Sequence, residues 1–487
     1  MTTPIWDFVR RYAASGTARL HMPGHKGQPF LGCEALDITE ISGTETLIRE
    51  SEANAAALFA SGRTVYGTGG SSQCVRAMVY LAVTQACGRP RGFGNGRNCA
   101  PPAIAGGQPR PVLVAARNAH KSLLYAAALC DAEIVWLWPE GQDGTADSSA
   151  KGAAECSLWA CPVTAGQVSR TLDQLHRTGR QAAAVYVTSP DYLGGTQDIT
   201  ALSDAAHRHG VPLLVDNAHG AYLRFLAPSC HPLDLGADLC CDSAHKTLPV
   251  LTGGAYLHIA KTAPASFQEN AGTAMELFGS TSPSWLTLAS LDLCNRYLSG
   301  DSLANGVQFG TCPPGSGPGY PARLAETADR LDALRDRLRE AGWVVRPGDP
   351  LRITLQGDGF AMRDRLRRGG VEWEYADQDF LVLMATPENP VGDLDRIAAA
   401  LGRRDVPAPP PPSLPPVRGE AVLTPREAVF APRETIPVEA AVGRICGAPT
   451  VSCPPAVPIA VSGERIGREA VEVFRYYGIQ SVDVVPG

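Results

Sequence analysis

Val211-Pro212-Leu213-Leu214-Val215-Asp216 and, further on, Cys241-Asp242-Ser243-Ala244-His245-Lys246-Thr247-Leu248-Pro249 decide how this chain folds. The first is an apolar run that sends an acid off its end. The second follows another apolar run, Ala237–Cys241, and delivers a lysine just beyond it. Working outward, Val112–Ala116, Ile134–Trp138, Ala182–Thr188 and Ala255–Ile259 read as further short buried strands. Helical patterns fit between several of them, at Ser122–Cys130, Val168–Thr178 and Ile199–His209, the last with Asp198 as N-cap and Gly210 as its stop. Alternation of this kind predicts an α/β domain with a largely parallel sheet. Ligands of such sheets sit at the carboxyl ends of the strands. Asp216 and Lys246 both fall there.

A lysine and an acid so placed suggest a pyridoxal phosphate (PLP) site. The amine can hold the aldehyde as a Schiff base, and the carboxylate can keep the pyridine nitrogen protonated so that the ring absorbs an electron pair. Tyr66-Gly67-Thr68-Gly69-Gly70-Ser71-Ser72-Gln73 precedes an apolar helical run and can present N–H groups and hydroxyls to a phosphate. Arg117-Asn118-Ala119-His120-Lys121-Ser122 follows the strand Val112–Ala116, which puts His120 at the same end of the sheet. Its planar ring can stack on a cofactor. Ser189–Gly195 and Asp216–Ala221 end two further strands.

Composition narrows the function. With 43 Lys+Arg against 49 Asp+Glu, a net charge of -6 and no long basic run, nucleic acid and anionic membranes are poor partners, and small-molecule chemistry is favoured. The 14 cysteines are scattered and form no paired Cys-x-x-Cys motifs, so neither a disulfide framework nor a metal site is expected. Asp7, Arg10, Arg11 and Arg19 interrupt the apolar residues of the N-terminus, and no stretch reaches membrane-spanning length. A cytoplasmic protein is expected.

At 487 residues several domains are expected. The divisions read from the sequence are an N-terminal arm at 1–55, a large domain at 56–300, a smaller α/β region at 301–405, a proline-rich linker at 406–417 and a C-terminal domain at 418–487. The small region carries a helix at Ala322–Gly342 and strands at Leu351–Leu355 and Phe380–Met384; Gly88–Pro111 and Gly141–Gly166 read as surface insertions.

Taken together, His21-Met22-Pro23-Gly24-His25-Lys26-Gly27, the Gly69–Gln73 loop, Arg117–Ser122, Asp216–Ala221, Ser243–Pro249 and Ser280-Thr281-Ser282-Pro283-Ser284 closely resemble the bacterial ornithine/lysine/arginine decarboxylase family. Pro425-Arg426-Glu427-Ala428 and Pro454–Ile466 resemble that family's closing domain, so the likeness covers nearly the whole chain. It is similar to the short form that lacks the extra N-terminal domain. The resemblance implies the aspartate aminotransferase fold (PLP fold type I) and decarboxylation of arginine, lysine or ornithine, with arginine first, to an amine that feeds polyamine synthesis. Lys246 would bear the cofactor, Asp216 would pair with its ring nitrogen, His120 would stack on the ring and His219 would lie near its substituents. Gly70, Ser71, Ser72, Ser243 and His245 would hold the phosphate, with Thr281 or Ser282 arriving from a partner subunit, which makes a homodimer or higher homo-oligomer the active unit. Glu464 would attract the cationic substrate at the entrance. Asp37, Thr39, Glu40 and Glu45 of the N-terminal arm would line the substrate pocket, Glu40 and Glu45 as cation contacts.

Several positions depart from the family. Asn217 stands where glutamate is common, Tyr222 where histidine is common, and Asp191 where a small or hydroxylic residue is usual; the closing motif opens Cys453-Pro454-Pro455, with Ser462 where proline is frequent. Removing an acid near the site changes charge and proton-transfer options. An aminotransferase, or other altered PLP chemistry on an arginine-like amino acid, is the alternative, and a catalytically silent relative the third. The retained Asp216, His120, His245 and Lys246 speak against the last.

Overall fold

The structure is a computed structural model of the whole chain; it describes all residues except 18, 20, 21, 24, 27, 29, 30, 39, 40, 42, 89–109, 140–158, 301–317, 405–413, 415, 416 and 452–456. Glu40 and Thr39, most of the proline-rich linker and much of the two Gly/Pro-rich stretches therefore lie outside the described residues. Seven strands form the major sheet: β1 (Arg63–Gly67), β2 (Val112–Ala116), β3 (Glu133–Leu137), β4 (Ala182–Thr188), β5 (Leu213–Asp216), β6 (Leu239–Asp242) and β7 (Ala255–Ile259). Their order is β1-β7-β6-β5-β4-β2-β3. The strands and the helices between them make the expected α/β architecture. The chain divides into two units, Met1–Met78 with Asp216–Asp329 and Ala385–Asn389, and Val79–Val215 with Arg330–Met384 and Pro390–Gly487.

In the first unit β7 runs antiparallel to both β1 and β6, with Tyr66 opposite Tyr256 and Asp242 opposite Tyr256 on the other side. Every residue of β6 and β7 is buried, Asp242 and His258 included, and the remaining positions are apolar or aromatic. Phe59 packs on this sheet with its ring 4.4 Å from that of His258 and 5.3 Å from that of Tyr256. The helices Glu45–Leu58 and Trp285–Leu298 are tied to β1 through one hydroxyl: Tyr66 Oη lies 2.7 Å from Ser51 Oγ and accepts from Asn295 Nδ2 at 2.6 Å. Asp292 accepts from Ser51 Oγ and from the Trp6 N–H, which fixes the N-terminal helix Pro4–Ala14 to the same core.

In the second unit β2 pairs in parallel with β3 and β4. Asp198 caps the helix Ile199–Arg208 by accepting from the Ala201 N–H, as the sequence predicts. The helix Ala165–Arg177 starts earlier than expected, because Thr164 and Gln167 form a reciprocal capping box ahead of the apolar stripe. Four short strands, β8 (Val344–Val345), β9 (Arg352–Gln356), β10 (Tyr375–Ala376) and β11 (Phe380–Met384), make an antiparallel sheet in the order β10-β11-β9-β8. A five-stranded sheet follows, built in order from Glu420–Ala421, Glu464–Arg465, Ile445–Cys446, Ser481–Val485 and Glu434–Pro437.

Candidate active site

Asp216 is the last residue of β5 and is buried. Its Oδ1 accepts from the Ala218 N–H at 3.2 Å and from the Cys241 thiol at 3.5 Å. The turn that follows brings His219 back toward the end of β6, where the short helix Ala244–Thr247 presents Lys246. The Lys246 Nζ lies 2.9 Å from His219 Nε2. Asp216, His219 and Lys246, expected as catalytic residues on the sequence, thus stand in one unit of the fold at the ends of β5 and β6.

The glycine loop is set by two close approaches. Gly253 has φ +94, and a Cβ there would sit 2.7 Å from Thr68 O, so only glycine fits. Its carbonyl accepts from the Gly70 N–H at 2.8 Å, which starts the helix Gly70–Gly88 with Ser71 and Ser72 in its first turn. His245 is held by Gly254, whose carbonyl accepts from the His245 N–H at 3.2 Å and lies 3.0 Å from its Nδ1. Ser243 Oγ is fully buried and has no hydrogen-bond partner among the described atoms. A buried hydroxyl in that state is open to a donor or acceptor from a ligand. A phosphate at the N-terminus of Gly70–Gly88, with its anion met by N–H groups, suits the donor set. The residues present fit PLP.

At the end of β6 lies a buried polar knot centred on Asp242. Its Oδ1 accepts from Asn217 Nδ2 at 2.7 Å; its Oδ2 is 3.0 Å from His231 Nε2 and 3.3 Å from His258 Nε2. Burial alone would raise the Asp242 carboxyl, but the two histidines hold it well below the usual carboxylate range. Burial pushes the Cys74, Cys240 and Cys241 thiols upward, with the neighbouring carboxylates adding to the shift, so all three are inert neutral groups.

In the second unit His120 is exposed at the N-cap of Lys121–Leu129, where Nδ1 accepts from the Ser122 N–H. Glu464 is buried in a bidentate pair with Arg117, Oε1 at 2.6 Å from Nη1 and Oε2 at 2.8 Å from Nη2, and Oε2 also accepts from the Val461 N–H. The Arg117 guanidinium carbon lies 4.9 Å and 4.7 Å from the ring centroids of Trp136 and Trp138. Both Glu464 oxygens are therefore engaged within the protein. Asp191 organises the turn after β4, its Oδ1 accepting from the Leu193 and Gly195 N–H groups, and burial lifts its carboxyl to about 6. Thr281 and Ser282 are exposed in the first unit, in the turn before Trp285–Leu298, and Glu45 opens its own helix at the surface. Sequence reasoning gave no role to Arg117, Asp242, His231 or His258. The one available signal was Asp242 itself, an acid inside an otherwise apolar strand.

Residues 103–308 match the family model described as the major domain of Orn/Lys/Arg decarboxylase. Over 511 residues the chain is 26% identical to the protein YaaO of Bacillus subtilis, covering 97% of this chain and 93% of that one. An arginine decarboxylase of the same organism is 25% identical, with 96% and 92% covered. Among solved structures, a lysine decarboxylase of Francisella novicida superposes with a TM-score of 0.73 at 14% identity, over 99% of this chain and 81% of that one.

Proposed function

We propose, for a chain related to the Orn/Lys/Arg decarboxylases, that it removes the α-carboxylate of a basic amino acid with the help of PLP, releasing CO2 and the corresponding amine. The single observation that carries this reading is the meeting of Lys246 Nζ with His219 Nε2 at 2.9 Å, His219 standing three residues after the buried Asp216. Lys246 would hold PLP, which would supply an electron sink for the pair left when the bond from Cα to the carboxylate breaks. Asp216 holds a proton at the ring nitrogen. Ser243, Ser71, Ser72 and His245 hold the phosphate, and His219 relays a proton to or from the Lys246 amine. His120 covers the face of the ring. Orientation decides which bond at Cα breaks, and binding of the distant cationic group enforces that orientation.

Arginine is the first substrate in this proposal, since arginine decarboxylases stand among the relatives, with lysine and ornithine next. The proposal extends to a cytoplasmic homodimer that supplies amines for polyamine synthesis, with Thr281 or Ser282 of one copy reaching the phosphate of the other. It also keeps the five-part division of the chain, and with it Glu40 and Glu45 as groups that meet the substrate's charge, whereas Glu464, with both oxygens engaged by Arg117, is a structural partner. Among the described residues no helix is long and apolar enough to cross a membrane.

The test is chemical trapping. Protein incubated with PLP and reduced with borohydride is digested and mapped by mass spectrometry. The pyridoxyl mass is expected on Lys246 and is lost in Lys246→Ala. Labelling elsewhere, or none in the wild type, contradicts the assignment.

A further inference from the structure

We propose that Asp242 is a positioning residue of the site, in which its carboxylate, through Asn217, sets where Asp216 stands relative to Lys246. The inference rests on the PLP reading above. Asn217 follows Asp216 directly, and its backbone N–H donates to Cys241 O at 3.0 Å, so the end of β5 is pinned to β6 one residue before Asp242. Its side chain repeats the link, with Nδ2 donating to Asp242 Oδ1 at 2.7 Å. The amide cannot swing away: a Cβ at Gly220 would lie only 2.0 Å from Asn217 Oδ1, so the turn closes directly over it. On the other side Asp242 is bonded to Ser243, which begins the segment carrying His245 and Lys246.

The carboxylate is itself immobilised. His231 Nε2 meets Oδ2 at 3.0 Å with His258 Nε2 3.3 Å away, Nδ1 of His258 lies 2.8 Å from Thr64 Oγ1, and the Cys240 thiol donates to Oδ1 at 3.4 Å. All of these groups are buried. A charge-assisted hydrogen bond in such surroundings is shorter and stronger than a neutral one, and a buried network holds its members to one geometry. A carboxylate on the neighbouring strand β6 is thus hydrogen-bonded to the residue next to Asp216.

Three variants test this: Asp242→Asn, Asn217→Asp and the double exchange N217D/D242N. PLP affinity is measured by absorbance titration of the apoprotein, and kcat and KM by amine release. Each single change removes the carboxylate–amide pairing, by setting two amides or two carboxylates face to face. Each is expected to weaken PLP binding at least about 10-fold, equivalent to about 1.4 kcal/mol, and to lower kcat with KM little changed. The double exchange restores a carboxylate facing an amide and is expected to recover at least half of that loss on a logarithmic scale. If D242N yields no folded protein, N217D and the double variant decide the matter by the same comparison. Wild-type PLP affinity in a single variant, or a double variant no better than the sum of the singles, overturns the proposal. A wild type that binds no PLP overturns the cofactor reading instead. A wild type that binds PLP without releasing amine leaves the affinity comparison to decide the role of Asp242.

Discussion

Replacing Glu464 by alanine separates two roles for that residue. The Arg117 and Glu464 side chains are 0% and 4% exposed, so the change leaves a guanidinium buried with its two strongest bonds gone. What remains for Arg117 is Pro458 O at 3.5 Å and the faces of Trp136 and Trp138. Breaking a buried pair from one side costs about 3–5 kcal/mol, whereas an exposed pair is worth about 1 kcal/mol or less. Glu464→Gln keeps one acceptor and should lose less. A double variant, R117M/E464L, removes both charges and should recover much of the loss, since apolar replacements of similar volume are tolerated where a lone charge is not. Urea unfolding followed by circular dichroism gives the stabilities, and KM for arginine is measured on the same proteins. A loss below about 1 kcal/mol for Glu464→Ala, with a raised KM as its main effect, would refute the reasoning and return Glu464 to the substrate entrance.

Asp216→Ala should retain PLP yet lose activity about 100-fold or more, as expected when preorganised charge stabilisation is removed; steady-state kinetics beside an absorbance titration checks this. Gly253→Ala should disrupt the loop that starts Gly70–Gly88, because its Cβ would press on Thr68 O at 2.7 Å, and PLP affinity is the readout. Burial lifts the Asp292 carboxyl to about 7 from an ordinary value near 4, so the folded state favours its neutral form. The stability this gives is fully present below about pH 4 and is lost as pH rises through about 7. Asp292→Asn keeps one acceptor for the Trp6 N–H, turns its amide N–H toward Ser51 Oγ and has no proton to lose, so its stability should fall less between pH 5 and 8 than that of the wild type in parallel denaturant titrations.

Strands β2, β4 and β7 match the sequence reading residue for residue, because each is a short, wholly or almost wholly buried apolar run with clear ends. The strand expected at Val211–Asp216 begins two residues later, after Pro212, which has no N–H to give to a ladder. Hydrophobicity carries no direction, so the antiparallel course of β7 was not legible, and β1, with Arg63, Thr64 and Gly67 at the edge of the sheet, lacked the apolar signal altogether. The approach of His219 to Lys246 was legible because strand ends in such sheets share one rim. The partnership of Arg117 with Glu464, 347 residues apart, was not, and neither was that of Asn217 with Asp242, which depends on β5 and β6 being neighbours.

The central claim is tested most directly by weighing the products. The PLP-loaded protein is incubated separately with arginine, lysine and ornithine, with a keto-acid acceptor added to parallel samples, and the products are analysed by mass spectrometry. An amine lighter than its substrate by CO2, formed without the acceptor and absent with Lys246→Ala, is the predicted result. Acceptor-dependent keto acid, or no product from any of the three, would contradict it.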